Sequence, residues 1–227
     1  MSPTRDVRAP SESFLVAMEK YAGTAEEIPS VSVIGDSHMR NVMRTPGCIP
    51  FQVYYFELNH GTNNGNGRDG DVITGIEKGK VFGEFIKTSD YGTADADRTI
   101  EIKEGRGVIL VQKNATDQHG DIIPDVVEEF EAKQIHKGQK VVIPRGSFYA
   151  FVNPDRDEVL VAKHSGRSDK NPSENPNSQA LIGMRGFAYR VVACDSHVCL
   201  QPNEEYIKQN ILKFKNGGIP LFGENLD

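Results

Sequence analysis

From Phe51 onward the chain is a succession of short runs rich in Val, Ile, Phe, Tyr and Thr, each broken off by Gly, Asn, Asp or Pro. They read FQVYYFEL, DVITGIEKG, KVFGEFIKT, RTIEIKEG, GVILVQK, VVEEFEAKQI, QKVVIP, SFYAFVN, EVLVAKH and FAYRVVA. β-Branched and aromatic residues fit a pleated, half-buried surface, and the interrupting residues supply the backbone conformations that tight turns require. Many short strands at even spacing close into a sandwich or a barrel. The fold class expected is therefore all-β, and a length of 227 residues suits one core with appended arms.

The flanks read differently. Residues 1–12 are polar, and residues 13–21 (SFLVAMEKY) place Phe14, Val16, Ala17 and Met18 where a short amphipathic helix docks them. Residues 203–215 (NEEYIKQNILKFK) have an Asn N-cap, acids in the first turn and Ile207, Ile211, Leu212 and Phe214 near one face, so a helix ending at Gly217 and Gly218 is expected. The organisation is thus an N-terminal arm (1–50) packing on a barrel (51–200), then a C-terminal helical tail (201–227). Residues 59–71 and 165–178 read as polar loops.

Charge and cysteine usage narrow the partners. A net charge of -6 without a Lys/Arg cluster argues against nucleic acid, whose phosphates demand a basic face. No stretch is apolar enough to span a bilayer, the chain lacks a basic-then-apolar start, and its three cysteines are odd in number, so the expectation is a cytoplasmic protein with no membrane partner and a small-molecule ligand. Cys194 and Cys199 have no second ligand pair at zinc spacing and read as strand positions.

The most specific signal is residues 138–153, GQKVVIPRGSFYAFVN. Gly138, Pro144, Gly146 and Asn153 keep every spacing of G-x5-P-x-G-x2-H-x3-N, which resembles the second cupin motif, with Tyr149 in place of the histidine. In such a motif Gly138 opens a strand, Pro144 and Gly146 make the turn into the next one, and position 149 points into the barrel. The resemblance implies an all-β cupin barrel, the double-stranded β-helix or jelly roll, with short N- and C-terminal helical arms.

Neighbouring segments are similar to archaeal-type glucose-6-phosphate isomerases. DVITGIEKGKVFGEFIKT, SDYGTADADRTI and EIKEGRGVILVQK follow that family's order of strands and turns, and GDSHMRNVM, QVYYFEL and RGFAYRVVACDSHVCLQPNEEY resemble segments on either side, so that residues 30–206 are covered. In the family an HxH pair, a Glu and a later His hold a metal. Those positions fall here on Tyr91, Thr93, Arg98 and Tyr149, with Asp95 and Asp97 as alternatives to Arg98. Phenols, a hydroxyl and a guanidinium are not the usual ligands of a divalent ion, so no metal and no cofactor is expected. The family's acid–base residues map to Arg98, Ile100 and residues 177–180, which cannot move a proton between carbons, so ordinary glucose-6-phosphate isomerase activity is not expected either.

Thr74 and Thr88 stand where the family's threonines hold a phosphate, although Thr is also simply a favoured strand residue. His164 ends a strand. Alternation points it either inward toward Tyr149 and Phe151, as an acid–base partner, or outward at the rim. A buried Glu84 paired with Arg98 would replace the missing ion by a salt bridge. Asp117 and His119 read as a hairpin turn, and the GDSH at 35–38 lacks the partners of a serine hydrolase.

Two functions follow. One is a metal-independent isomerase, epimerase or cyclase for a sugar-like or sugar-phosphate-like molecule, with Tyr149, His164 and Arg98 catalytic and Thr74, Thr88, Tyr91 and Thr93 binding substrate. The other is a non-catalytic binding or sensing cupin whose interior holds a ligand or is filled by side chains. The isomerase resemblance also implies a homodimer.

Overall fold

The computed structural model describes residues 11–22, 30–33, 54–63, 68–81, 83–88, 91–92, 96–165, 181, 184, 186–206 and 210–222. They form α1 (Glu12–Ala22), β1 (Ser30–Val33), β2 (Tyr54–Asn63), β3 (Arg68–Ile76), β4 (Lys80–Val81), β5 (Glu84–Phe85), β6 (Tyr91–Gly92), β7 (Arg98–Glu104) and β8 (Arg106–Thr116). The chain continues through β9 (Ile122–His136), β10 (Lys140–Ile143), β11 (Phe148–Val152), β12 (Leu160–Ser165), β13 (Tyr189–Cys194), β14 (His197–Pro202) and β15 (Phe214–Gly217).

Three sheets result, in the orders β1-β2-β3-β12-β7-β10, β15-β9-β8-β11-β6 and β14-β13-β5-β4. Successive strands from β9 to β12 alternate between the first two sheets, which is how a jelly roll winds. Burial fixes the layering. On β8 and β11 the side chains of Ile109, Val111, Tyr149 and Phe151 join Ile100, Ile102, Leu160 and Ala162 of the six-stranded sheet. Their alternates, Val108, Leu110, Phe148 and Ala150, join Phe130, Tyr189, Val191 and Leu200 on the other side. β8 and β11 are therefore buried on both faces, and this is why GVILV and SFYAFV are unbroken apolar runs rather than alternating ones.

The turn chemistry of the 138–153 motif is visible. Gly138 and Gly146 have φ of 83° and 73°, a region that side chains with a Cβ avoid. Asn153 is fully buried, and its Nδ2 donates to the carbonyls of Ile76 at 2.9 Å and Glu158 at 3.0 Å. It ties the end of β11 to β3 and to the loop before β12. At the N-terminus the expected helix is present as α1, capped by Ser11 Oγ, which accepts the Phe14 N–H at 3.2 Å. Phe14 is fully buried against Ile73, Val159 and Val161 on the outer face of the six-stranded sheet.

Two expectations are corrected. The tail is not α-helical where it is described: Ile211 bridges Val127, and Phe214–Gly217 is β15, parallel to β9. Phe214 stacks on Phe130 with centroids 5.7 Å apart and leans on Tyr189 at 5.1 Å, so pairing along β9 and an aromatic cluster outweigh helix propensity. The polar segment 59–71 is mostly ladder, since β2 and β3 pair from Tyr55↔Ile76 out to Asn63↔Arg68. The other polar loop, beyond Ser165, lies outside the described residues, as do 1–10 and most of 23–53 of the N-terminal arm.

Candidate functional site

Tyr149 and His164 meet inside the sandwich. Tyr149 sits mid-strand on β11, with Phe151 two residues on and facing the same way, while His164 lies on β12 between Val72 of β3 and Ile100 of β7. Tyr149 Oη lies 2.9 Å from His164 Nδ1, and the edge of Phe151 stands against the imidazole with centroids 5.1 Å apart. Tyr149 is 0% exposed and His164 2%, so the rim position is excluded and the inward one observed.

Arg98 completes the group. It opens β7 on the face that carries Ile100 and Ile102, at the strand end that pairs with the His164 end of β12, and it is partly exposed. Burial pushes His164 down to about 3, and the Arg98 guanidinium pushes in the same direction. Both effects disfavour the imidazolium, so His164 is neutral at pH 7, and one hydrogen lies between Tyr149 Oη and Nδ1. A neutral imidazole so far below 7 is a poor base but a good anchor for a hydroxyl. The residues expected from sequence as catalytic are thus gathered on one inner face.

The expected substrate-binding residues are less uniform. Thr74 is fully buried on β3 opposite Ala162, on the inner face with Ile76. Thr88 is fully buried and its Oγ1 accepts the Phe151 N–H at 3.1 Å, so this hydroxyl braces β11. Tyr91 pairs with Tyr149 through the backbone of β6 and β11. Thr93 lies outside the described residues, as do Asp95, residues 35–38 and residues 177–180. Asp97 Oδ1 accepts the Arg145 N–H at 2.9 Å and so secures the turn before β11. Glu84, on β5 in the four-stranded sheet, lines a small cavity with Lys87, Phe187 and Arg190, and it shares no sheet with Arg98. Asp117 Oδ1 accepts the N–H groups of His119 and Asp121, which is the turn role expected.

One imidazole, one phenol and one guanidinium do not make a donor set for a divalent cation. Among the described residues no group of three or more His, Cys, Asp or Glu side chains is placed to hold a metal. Cys194 and Cys199 are free thiols on the β13–β14 hairpin, as expected of strand positions. Phe151 beside His164 was expected from strand alternation, but the sequence carried no signal for the bond between Thr88 and Phe151, 63 residues apart.

Comparison with known proteins finds likeness among solved structures alone. No family model matches the sequence, and no curated protein matches it. The fold is all-β, with β9 to β12 wound between two sheets as in a jelly roll. Solved structures similar to it include the CENP-C cupin domain of Drosophila melanogaster, at 13% identity over 70% of this chain and 99% of that one, with TM-score 0.34. The EutQ protein of Clostridium difficile is 16% identical over 56% and 71% of the two chains, with TM-score 0.33. KdgF from Halomonas sp. is 12% identical over 51% and 82%, with TM-score 0.32. Likeness at this level carries no statement about activity. No helix among the described residues is long and apolar enough to cross a membrane.

Proposed function

We propose that the chain is a metal-independent cupin that binds a small polar molecule, sugar-like or sugar-phosphate-like, at the Arg98 end of the sandwich and moves a proton on it with Tyr149. The observation that carries this reading is the 2.9 Å bond between Tyr149 Oη and His164 Nδ1 on the inner face that Arg98 shares. Isomerase, epimerase and cyclase chemistry all need a group that gives and takes a proton at carbon or oxygen, and a positive charge to hold the anion formed between the two steps. Tyr149 suits the first role and Arg98 the second. His164, held neutral, orients the phenol. The resemblance to archaeal-type isomerases supports the substrate class, and it also supports a homodimer, which light scattering tests.

The test is deuterium exchange at carbon, followed by proton NMR in D2O, over a panel of aldose, ketose and sugar-phosphate probes with chelator present. The reading expects exchange into one probe class and a loss of about 100-fold or more in Tyr149→Phe, the scale of a positioned proton donor. Exchange that requires added metal contradicts it. A second reading, the non-catalytic binding cupin, is favoured by the burial of Tyr149 and His164 and by the use of the Thr88 hydroxyl as a brace. Saturable binding of a probe without exchange selects it.

A further inference from the structure

Two clefts lie at the other end of the sandwich. Arg98 and His164 lie at one end of β7 and β12; the opposite ends of those strands carry Glu104 and Val161, which pair, and beside them the 153–158 loop and Arg106. Here a cleft of about 580 Å³ adjoins one of about 320 Å³, and both are walled by Pro154, Asp155, Arg156, His197 and Val198. The larger cleft has the size of a small-molecule pocket and an apolar floor that includes Val108, Ile135 and Ile219.

Its charges are arranged rather than scattered. Asp155 is a spent anion: Oδ1 accepts the N–H of Asp157 at 2.9 Å and of Glu158 at 3.3 Å, Oδ2 accepts Arg106 Nε at 2.5 Å, and the side chain is 3% exposed. Arg106 is pinned by that one nitrogen and is otherwise 76% exposed, so its terminal amino groups form a fork with no protein partner among the described residues. Arg156 is exposed on the same loop and likewise makes no side-chain hydrogen bond to a described residue. His136 Nδ1 is 3.1 Å from the Lys137 carbonyl, which only accepts, so this nitrogen carries the proton. Lys78 and Lys80 line the smaller cleft. Against four cations the two clefts hold three carboxylates, Asp155, Asp157 and Asp195, and two histidines, His136 and His197. In the larger cleft itself Arg106 and Arg156 face Asp155 and Asp157, and of these carboxylates Asp155 is already held by Arg106 and two backbone N–H groups.

We propose that this cleft is a second binding site, for a small molecule that carries a phosphate or carboxylate on a largely apolar body. The oxyanion meets the Arg106 fork and Arg156, and the body lies over Ile135, Val108 and Ile219. This site does not depend on the Tyr149–His164 reading.

The experiment is a titration of the full chain, followed by backbone amide NMR shifts, with phenyl phosphate, benzoate and the neutral control phenol. Saturable shifts at residues 155–157 and 197–198 by either anion, with phenol about tenfold weaker or more, support the site, and the two anions distinguish phosphate from carboxylate. Arg156→Ala weakens binding about tenfold, and because Arg156 is exposed this variant keeps the fold; Tyr149→Phe leaves binding unchanged. Equal binding of phenol, no saturable binding of either anion, indifference to Arg156→Ala, or shifts confined to β11 and β12 overturns the proposal.

Discussion

His164 shows how position sets the chemistry of a single residue. Its folded-state pKa, about 3, lies below the ordinary 6.5, so between these values the unfolded chain binds a proton that the folded chain does not. Stability from this group is complete above pH 6.5 and falls as the pH drops toward about 3, at roughly 1.4 kcal/mol per pH unit within that interval. Urea titrations between pH 6.5 and 5 check this: the wild type loses stability over that range and His164→Gln has a flatter profile. Tyr149→Phe removes the phenol that His164 Nδ1 faces and costs about 1–3 kcal/mol, measured by the denaturation midpoint. Both residues were legible in the sequence. The resemblance of residues 138–153 to a cupin motif implied an inward position for 149, and strand alternation left only two orientations for 164. The role of Thr88 was not legible, because the N–H that it accepts belongs to a strand paired with it only after folding.

Among the elements, strand existence was plain where apolar runs were bounded by turn residues, and α1 agrees with the expected helix to within a residue at each end. The tail failed for a physical reason. Residues 203–215 satisfy every local rule for a helix, but Phe214 finds Phe130 and Tyr189, and β9 offers a long row of backbone groups. A tertiary surface decided the outcome, and no local pattern records it. Phe214→Ala, at a half-buried position, is expected to cost about 1–3 kcal/mol by denaturation and to speed amide exchange in β15 far more than in β7. The docking of α1 rests partly on Glu104. Burial raises its pKa, but hydrogen bonds from Lys137, Lys20 and Tyr21 outweigh that and hold it at about 2. A carboxylate held low stabilises above its unfolded value of 4.5 and loses that contribution as the pH falls toward about 2. Glu104→Gln therefore loosens α1 at neutral pH, read as faster amide exchange in 12–22, with an effect of about 1 kcal/mol because the site is largely exposed.

Taken whole, the molecule is three sheets deep, and the third layer was the least legible part. FAYRVVA reads as a strand, but nothing in it says that it covers the far face of β8 and β11. The fastening is polar: Gln112 is fully buried, its Oε1 accepts the Ala188 N–H at 2.8 Å, and its Nε2 donates to Asn114 Oδ1 at 2.8 Å and to Tyr206 Oη at 3.1 Å. Tyr206 in turn donates to the Gly186 carbonyl at 3.0 Å. Gln112→Leu strands the Ala188 amide and is expected to cost about 1–3 kcal/mol in chemical denaturation. The two inner layers hold what the functional account depends on, a buried phenol–imidazole pair kept neutral beside a guanidinium. The imidazole nitrogen shifts of His164, followed by NMR on 15N-histidine-labelled protein from pH 8 downward, test that pair most directly. The account predicts a neutral ring in one tautomer that does not titrate near 6.5; an ordinary titration there, or nitrogen shifts typical of a metal-bound ring in protein purified without chelator, contradicts it.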